Sequence, residues 1–262
     1  ALGGYPDVSI GNVVGSNIFN IAGILGITAL IAPLAVTGTL LRLEYPVLAL
    51  VTLLAVVLWH DGELSRLDGL FMLAAYLGFL AYLLKLAGQQ AAASDLAALD
   101  REVAVLGPAS PKAAVVIGKI GAGIVLLGSG AKLTVSGAVD LAHLFGVSDL
   151  IIGLTVVAIG TGLPELVTSV VAAVRKQEGI ALANILGSNI FNLLAILGLS
   201  ALCRPLPVSV DILARDGWWM LGVTSLRFPI MFSQRRITRI EGAALVGTFA
   251  LYTGVLILAA LR

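Results

Sequence analysis

Apolar residues run along the chain in long, nearly unbroken blocks, separated by short breaks rich in charge, proline or glycine. Eight blocks stand out, at residues 9–32, 43–59, 67–87, 113–137, 150–174, 180–202, 218–232 and 240–261. None alternates apolar with polar positions as a half-buried strand does, and most approach the roughly 20 residues a helix needs to cross a bilayer. In hydrocarbon a backbone must satisfy its own amides, so such runs are helices. The pattern predicts an all-α polytopic membrane protein with eight transmembrane helices. Lys119 and Lys132 fall towards opposite ends of the fourth block, where long side chains reach the interface; both are read as structural.

Composition narrows the class further. Of 262 residues, 59% are hydrophobic and 12% charged, with a mean hydropathy of +1.04. Soluble domains carry about a quarter charged residues, so a soluble enzyme, a disordered chain and a nucleic-acid-binding domain are all excluded. The net charge of +1 says nothing about partners, and the oligomeric state is left open. The single Cys203 rules out an internal disulfide and a cysteine-based metal site. Basic residues are unevenly shared between alternate loops, ten on one side against four on the side that holds both ends. The richer side is expected to be cytoplasmic, which faces both ends outward in a plasma membrane, a bacterial inner membrane. It also places residues 88–112 inside, as a linker with a short polar helix.

The most informative feature is a repeat. GNVVGSNIFN at residues 11–20 recurs as ANILGSNIFN at residues 183–192, an offset of 172. Gly26 matches Gly198, Pro33 matches Pro205, and Leu34 and Val36 match Leu206 and Val208 at that offset. One inserted residue later, RLDG at 66–69 answers RIEG at 239–242. Five helices separate the two starts, and an odd number puts the copies in opposite orientations. That is an inverted-topology repeat, in which a substrate site lies at the repeat interface near mid-membrane. The second copy runs from residue 113 to 262, whereas the first, residues 1–87, holds three helices. The comparison predicts a five-helix unit, with eight helices present of an expected ten and two missing from the front.

Chemistry concentrates in two places. In the fifth block the tract GTGLPE at 160–165 interrupts the helix, because Pro164 lacks an N–H and suits the first turn of a new half-helix. Carbonyls of Ala158 to Thr161 are expected to point at the break. Glu165 is the one acidic residue in the core of a block, and with no Lys or Arg near it in sequence its natural partner is a cation. In the GSNIFN tracts Ser16 and Asn20, and likewise Ser188 and Asn192, lie four apart and share a helix face. Asn17 and Asn189 point elsewhere and are expected to hold neighbouring backbone. Hydroxyl, amide, carbonyl and carboxylate oxygens without soft ligands suit Ca²⁺ and Na⁺.

On its two GSNIFN tracts and GTGLPEL the sequence resembles the sodium/calcium exchangers of the calcium/cation antiporter superfamily, especially bacterial members. The resemblance implies that Glu165 is a central Ca²⁺ ligand aided by the Thr161 carbonyl. It also implies that Ser16, Asn20, Ser188 and Asn192 line the Ca²⁺ and Na⁺ sites. Three departures stand out: the first-repeat helix with its own glutamate is missing, Gly162 replaces a usual serine, and Asn192 is aspartate in some members. The expected function is a secondary antiporter exchanging Ca²⁺ for Na⁺ by alternating access, with no catalytic residue and no cofactor. With one of two carboxylates, the chain alone is expected to bind Ca²⁺ weakly or not at all. H⁺/Ca²⁺ exchange and a truncated, non-transporting fragment are the alternatives. His60 and His143 are expected to be solvated at helix ends or loops, with no nucleophile–base pair to suggest an enzyme.

Overall fold

The structure, a computed structural model, describes residues 6–36, 43–102, 113–144, 146–147, 149–225 and 236–260. Helix α1 (Pro6–Ile18) runs through a π-helical turn at Phe19–Ile24 into α2 (Leu25–Ile31). A short strand β1 (Leu34–Ala35) leads to α3 (Tyr45–Leu58), β2 (Glu63–Leu64) and α4 (Arg66–Glu102). After α5 (Ala113–Leu144) comes a helix in pieces: α6 (Asp149–Ile152), a π turn at Gly153–Val157, α7 (Ala158–Thr161) and α8 (Leu163–Val174). The opening arrangement then recurs as α9 (Glu178–Ile190), a π turn at Phe191–Ile196 and α10 (Leu197–Cys203), followed by β3 (Leu206–Pro207). A last π turn, Ile212–Asp216, enters α11 (Gly217–Ser225), and β4 (Arg236–Ile237) leads to α12 (Arg239–Ala260).

Among the described residues, four helices are long and apolar enough to cross a membrane: Ile10–Ile31, Arg66–Gln89, Glu178–Cys203 and Arg239–Ala259. The pair Gly153–Thr161 and Leu163–Val174, bent by 47°, makes a fifth if taken as one broken span. Of the remaining expected spans, 43–59 appears as the 14-residue α3, and 218–232 is described only as far as Ser225. One expectation changes shape. Residues 88–102 form no separate polar helix; they continue α4 without a break to Glu102, because a stretch of Ala, Leu, Gln and Glu without proline propagates a helix already begun. His60 is exposed at the turn after α3, as expected, and Lys132 is exposed on α5; the side chains of Lys119 and His143 lie outside the described residues.

The two sequence copies grip one another in matched pairs. A Cβ at Gly242 on α12 would stand 2.8 Å from the Gly26 carbonyl oxygen on α2, and one at Gly69 on α4 would stand 2.6 Å from that of Gly198 on α10. Only glycine lets backbones approach so closely, the usual device for seating helices in lipid. Strand β1 pairs antiparallel with β4, Leu34 opposite Ile237, and β2 with β3, Leu64 opposite Leu206. Phe19 packs tilted against Phe249 at 5.1 Å between ring centroids, and Phe191 edge-to-face against Tyr76 at 5.6 Å. Each contact joins the first copy to the second, and each has its twin at the repeat offset. Such exchanged pairing is what a two-fold relation between the copies produces.

Both outer helices start with the same reciprocal cap. Ser65 Oγ donates to Asp68 Oδ2 at 2.6 Å while the Asp68 amide donates back at 3.2 Å, and Thr238 with Glu241 repeats it at 2.9 and 3.4 Å. Packing then separates inner from outer helices of equal hydropathy. The window in Ile10–Ile31 is 83% buried, whereas that in Arg66–Gln89 is 6% buried. Helices α1 and α2 form the protein-facing centre, and α4 presents its apolar surface outward.

One asymmetry between the copies is directly testable. A Cβ on Gly15 would meet the Leu154 carbonyl oxygen at 2.4 Å, whereas one on its repeat counterpart Gly187 meets no described atom within 4 Å. Gly15→Ala is expected to cost roughly 1–3 kcal/mol by overpacking, and Gly187→Ala to cost little. Thermal melting of the detergent-solubilised variants checks both.

Candidate cation site

The bend that makes the site comes from GTGLPEL. Pro164 sits in the first turn of α8, and Gly162 ends α7 with its amide donating to the carbonyls of Ala158 and Ile159, both at 3.1 Å. Those two carbonyls are therefore used inside the bend rather than left free, a correction to the expectation from sequence. What faces outward instead is the Thr161 hydroxyl. It lies 3.2 Å from Ser16 Oγ, and its one hydrogen is shared between Asn12 Oδ1 at 3.3 Å and the Ala158 carbonyl at 3.2 Å, while Ser16 Oγ also reaches Asn12 Oδ1 at 3.3 Å. The broken helix is thus tied to α1 by a triangle of oxygens.

Around that triangle is a cavity of about 160 Å³ lined by Asn12, Val13, Ser16, Asn20, Thr161, Gly162, Glu165, Asn192 and Ile196. Glu165 projects from the first turn of α8, where the helix N-terminus favours a negative charge. Its Oε2 is buried and has no hydrogen-bond partner among the described residues, and neither has Asn20 Oδ1. No cluster of three or more His, Cys, Asp or Glu side chains that could hold a metal occurs among the described residues. The cavity offers one carboxylate with neutral oxygens, a set suited to a hard cation that must also leave.

Five of the six site residues expected from sequence come together here: Glu165, Thr161, Ser16, Asn20 and Asn192. Ser188 does not line the cavity; its hydroxyl donates to the Asn184 carbonyl one turn back. Asn17 holds backbone as expected, donating to the Val13 carbonyl at 2.8 Å, but Asn189 instead accepts from the Asn20 amide at 2.8 Å. Asn12 was missed. The signal for it was present, since it lies four residues before Ser16 and recurs at the repeat offset as Asn184. That counterpart donates to Ser169 Oγ at 3.0 Å and to the Glu165 carbonyl at 3.3 Å, steadying the glutamate's helix.

Contrary to the expectation from sequence, Glu165 is not the one acid in a span core, because Asp216 is a second. The helix holding α11 begins earlier than expected, and Asp216 is fully buried. Its charge is met by Arg215 at 2.8 and 3.0 Å and by the Tyr252 hydroxyl at 3.2 Å. Asp216 is a paired structural acid, whereas Glu165 is left for something else. A larger cavity of about 380 Å³ on α11, lined by Arg215, Trp218 and Trp219 among others, carries a cationic side chain and lacks such oxygens.

The family of the sodium/calcium exchanger protein matches residues 1–85 and 115–258 of this chain. The chain belongs to the sodium/calcium exchanger family. Its relatives include the putative antiporter CaxA of Alkalimonas amylolytica, 39% identical over 255 residues covering 95% of this chain and 78% of the relative. The inner membrane protein YrbG of Escherichia coli (strain K12) is 38% identical over 253 residues, covering 95% and 77%. Among solved structures, the sodium-calcium exchanger NCX_Mj soaked with 100 mM Na⁺ and 10 mM Sr²⁺ aligns with a TM-score of 0.73 at 28% identity, covering 98% of this chain and 77% of that one. The chain is thus an integral membrane cation antiporter of the calcium/cation antiporter family.

The exchanger's Gly162 has a packing consequence. A Cβ there would lie 2.8 Å from Cδ1 of Phe19, and a Cβ on Gly23 would lie 2.4 Å from the ring's other edge. The Phe19 ring is seated between two glycines, so a serine hydroxyl at position 162 has no room beside it. Gly162→Ser is expected to destabilise the protein by roughly 1–3 kcal/mol. Phe19→Leu in the same chain should recover part of that loss, so a thermal-melting double-mutant cycle with negligible coupling would refute the seating.

Proposed function

We propose that this exchanger moves Ca²⁺ against Na⁺ by alternating access, with Glu165 as the charged cation ligand and Thr161, Ser16, Asn20 and Asn192 as neutral oxygen ligands. The observation that carries the reading is the buried, unpartnered Glu165 Oε2 in a cavity of oxygens. A carboxylate at membrane depth is costly without a counter-charge, and no basic side chain lines the cavity. Ca²⁺ and Na⁺ compete for the same oxygens, and that mutual exclusion converts one site into an antiporter. Relatives named for this exchange support it, such as the sodium/calcium exchanger MaX1 of Methanosarcina acetivorans, 42% identical over 112 residues. The inner-membrane description of YrbG, together with the excess of basic residues on one set of loops, favours a bacterial plasma membrane with the central loop cytoplasmic.

Coupling to H⁺ is the second reading, favoured by the Phe19 ring against Gly162, which removes space for one hydroxyl ligand. The neutral Asn192 points the same way. A buried glutamate can exchange a metal for a proton directly. Calcium uptake into proteoliposomes separates the two: an outward Na⁺ gradient drives it under the first reading, and an outward H⁺ gradient under the second. Uptake under neither gradient by folded, monodisperse protein would count against both and favour a non-transporting role. Glu165→Gln is expected to abolish uptake under whichever gradient drives it, while leaving the melting temperature near that of the unaltered protein.

A further inference from the structure

Among the described residues, one side-chain hydrogen bond joins the two central helices. Asn20 Nδ2, in the π turn after α1, donates to Asn189 Oδ1 near the end of α9 at 2.8 Å. Asn189 is 0% exposed and Asn20 2%, and the other end of each amide, Asn189 Nδ2 and Asn20 Oδ1, is buried with no partner among the described residues. An asparagine amide carries one end that accepts and one end that donates. With its donor end held by Asn189, the end of Asn20 left over is Oδ1, buried without a protein partner, in a residue that lines the cavity. The repeat counterpart of this bridge is absent. Asn17 spends its Nδ2 on the Val13 carbonyl, and its buried Oδ1 has no partner.

Orientation matters because the cavity already holds a carboxylate. Turned the other way, the Asn20 amide would present N–H groups beside Glu165, satisfying the acid and opposing a cation. Resting on the cation-site reading above, we propose that Asn189 is a positioning residue: it never touches the ion, but by accepting from Asn20 Nδ2 it keeps an acceptor oxygen turned towards the cavity. The cation affinity of this exchanger is then set partly by a residue one shell away, on the opposite repeat.

The test uses the full chain in detergent and Ca²⁺ itself as the probe, with affinity read by titration calorimetry carried to concentrations high enough for a weak site with a single carboxylate. Asn189→Leu removes the acceptor and is expected to weaken Ca²⁺ binding about tenfold, the size of one hydrogen bond's net worth. The same change in an Asn20→Asp background should cost less than about threefold, because a carboxylate has no wrong orientation to adopt and the coupling is lost. Equal losses in both backgrounds would mean that Asn189 is merely structural, and no loss in the unaltered background would also overturn the proposal. Asn189→Asp keeps an acceptor for Asn20 and is expected to bind Ca²⁺ at least as tightly as the unaltered protein; weaker binding overturns the proposal even where the leucine variant fails to fold. Side-chain ¹⁵N spectra of asparagine-labelled protein separate this from the transport reading. The bridge predicts an exchange-protected Asn20 NH₂ pair, kept in Asn189→Asp and absent from Asn189→Leu, and this holds even if the protein binds no Ca²⁺. Failure to see that pair in the unaltered protein sinks the positioning role alone.

Discussion

A carboxylate held inside an apolar bundle has to be compensated, and the rest of this molecule is arranged around how that is done. Asp216 and Glu165 are the two contrasting cases. The first is buried against its own arginine and a tyrosine, and so ties the start of α11 to α12 with its charge met by protein. The second faces a cavity whose other polar walls are hydroxyls and amides, with no cationic side chain lining it among the described residues. The polar groups there direct their hydrogens to protein acceptors. Ser16, Thr161 and Asn12 form a triangle that leaves acceptor lone pairs for an ion while holding the walls together. A site built this way is rigid in its framework yet unsatisfied in its charge, which is the condition for taking up a cation and giving it back.

The framework's rigidity comes from exchange between the repeats. Every short sheet, glycine crossing and aromatic pair noted above has one partner in each copy, so neither copy completes its packing alone. Gly26 with Gly242 and Gly69 with Gly198 bring outer helices against inner ones at backbone distance. The inner helices carry the π-helical turns at Phe19–Ile24 and Phe191–Ile196, immediately beside the polar residues of the GSNIFN tracts. Extra residues in a helical turn re-aim side chains and often accompany functional positions. Here they bring Asn20 and Asn192 to the same cavity from opposite copies.

Much of this was legible in the residues. Long apolar blocks require helices in lipid, the duplicated GSNIFN tract announces the repeat, and Pro164 next to Glu165 marks a break carrying an acid. Asp216 lies just ahead of the 218–232 block, however, so neither its burial nor its pairing with the adjacent Arg215 followed from the apolar pattern. Asn12 escaped for a similar reason: one amide four residues before a serine looks like ordinary helix polarity until Thr161, far along the chain, closes on it. In the 88–102 stretch the helix expected from composition is not a separate one but the continuation of α4.

Hydropathy also could not tell which apolar helices face lipid. The spans Ile10–Ile31 and Arg66–Gln89 have mean hydropathies of 1.7 and 1.9, yet their burial differs more than tenfold. Lipid and protein interior are equally apolar, so composition cannot separate them. The sequence by itself determined the membrane class, the repeat, the broken helix and the chemical type of the ligands, because each follows from local covalent chemistry or from self-similarity along the chain. Tertiary structure alone decided which oxygens converge, that Ser188 is not among them, that Phe19 fills the space beside Gly162, and that Asn189 holds Asn20. Those are contacts between residues more than a hundred positions apart, or choices among hydrogen-bond partners that only packing can settle.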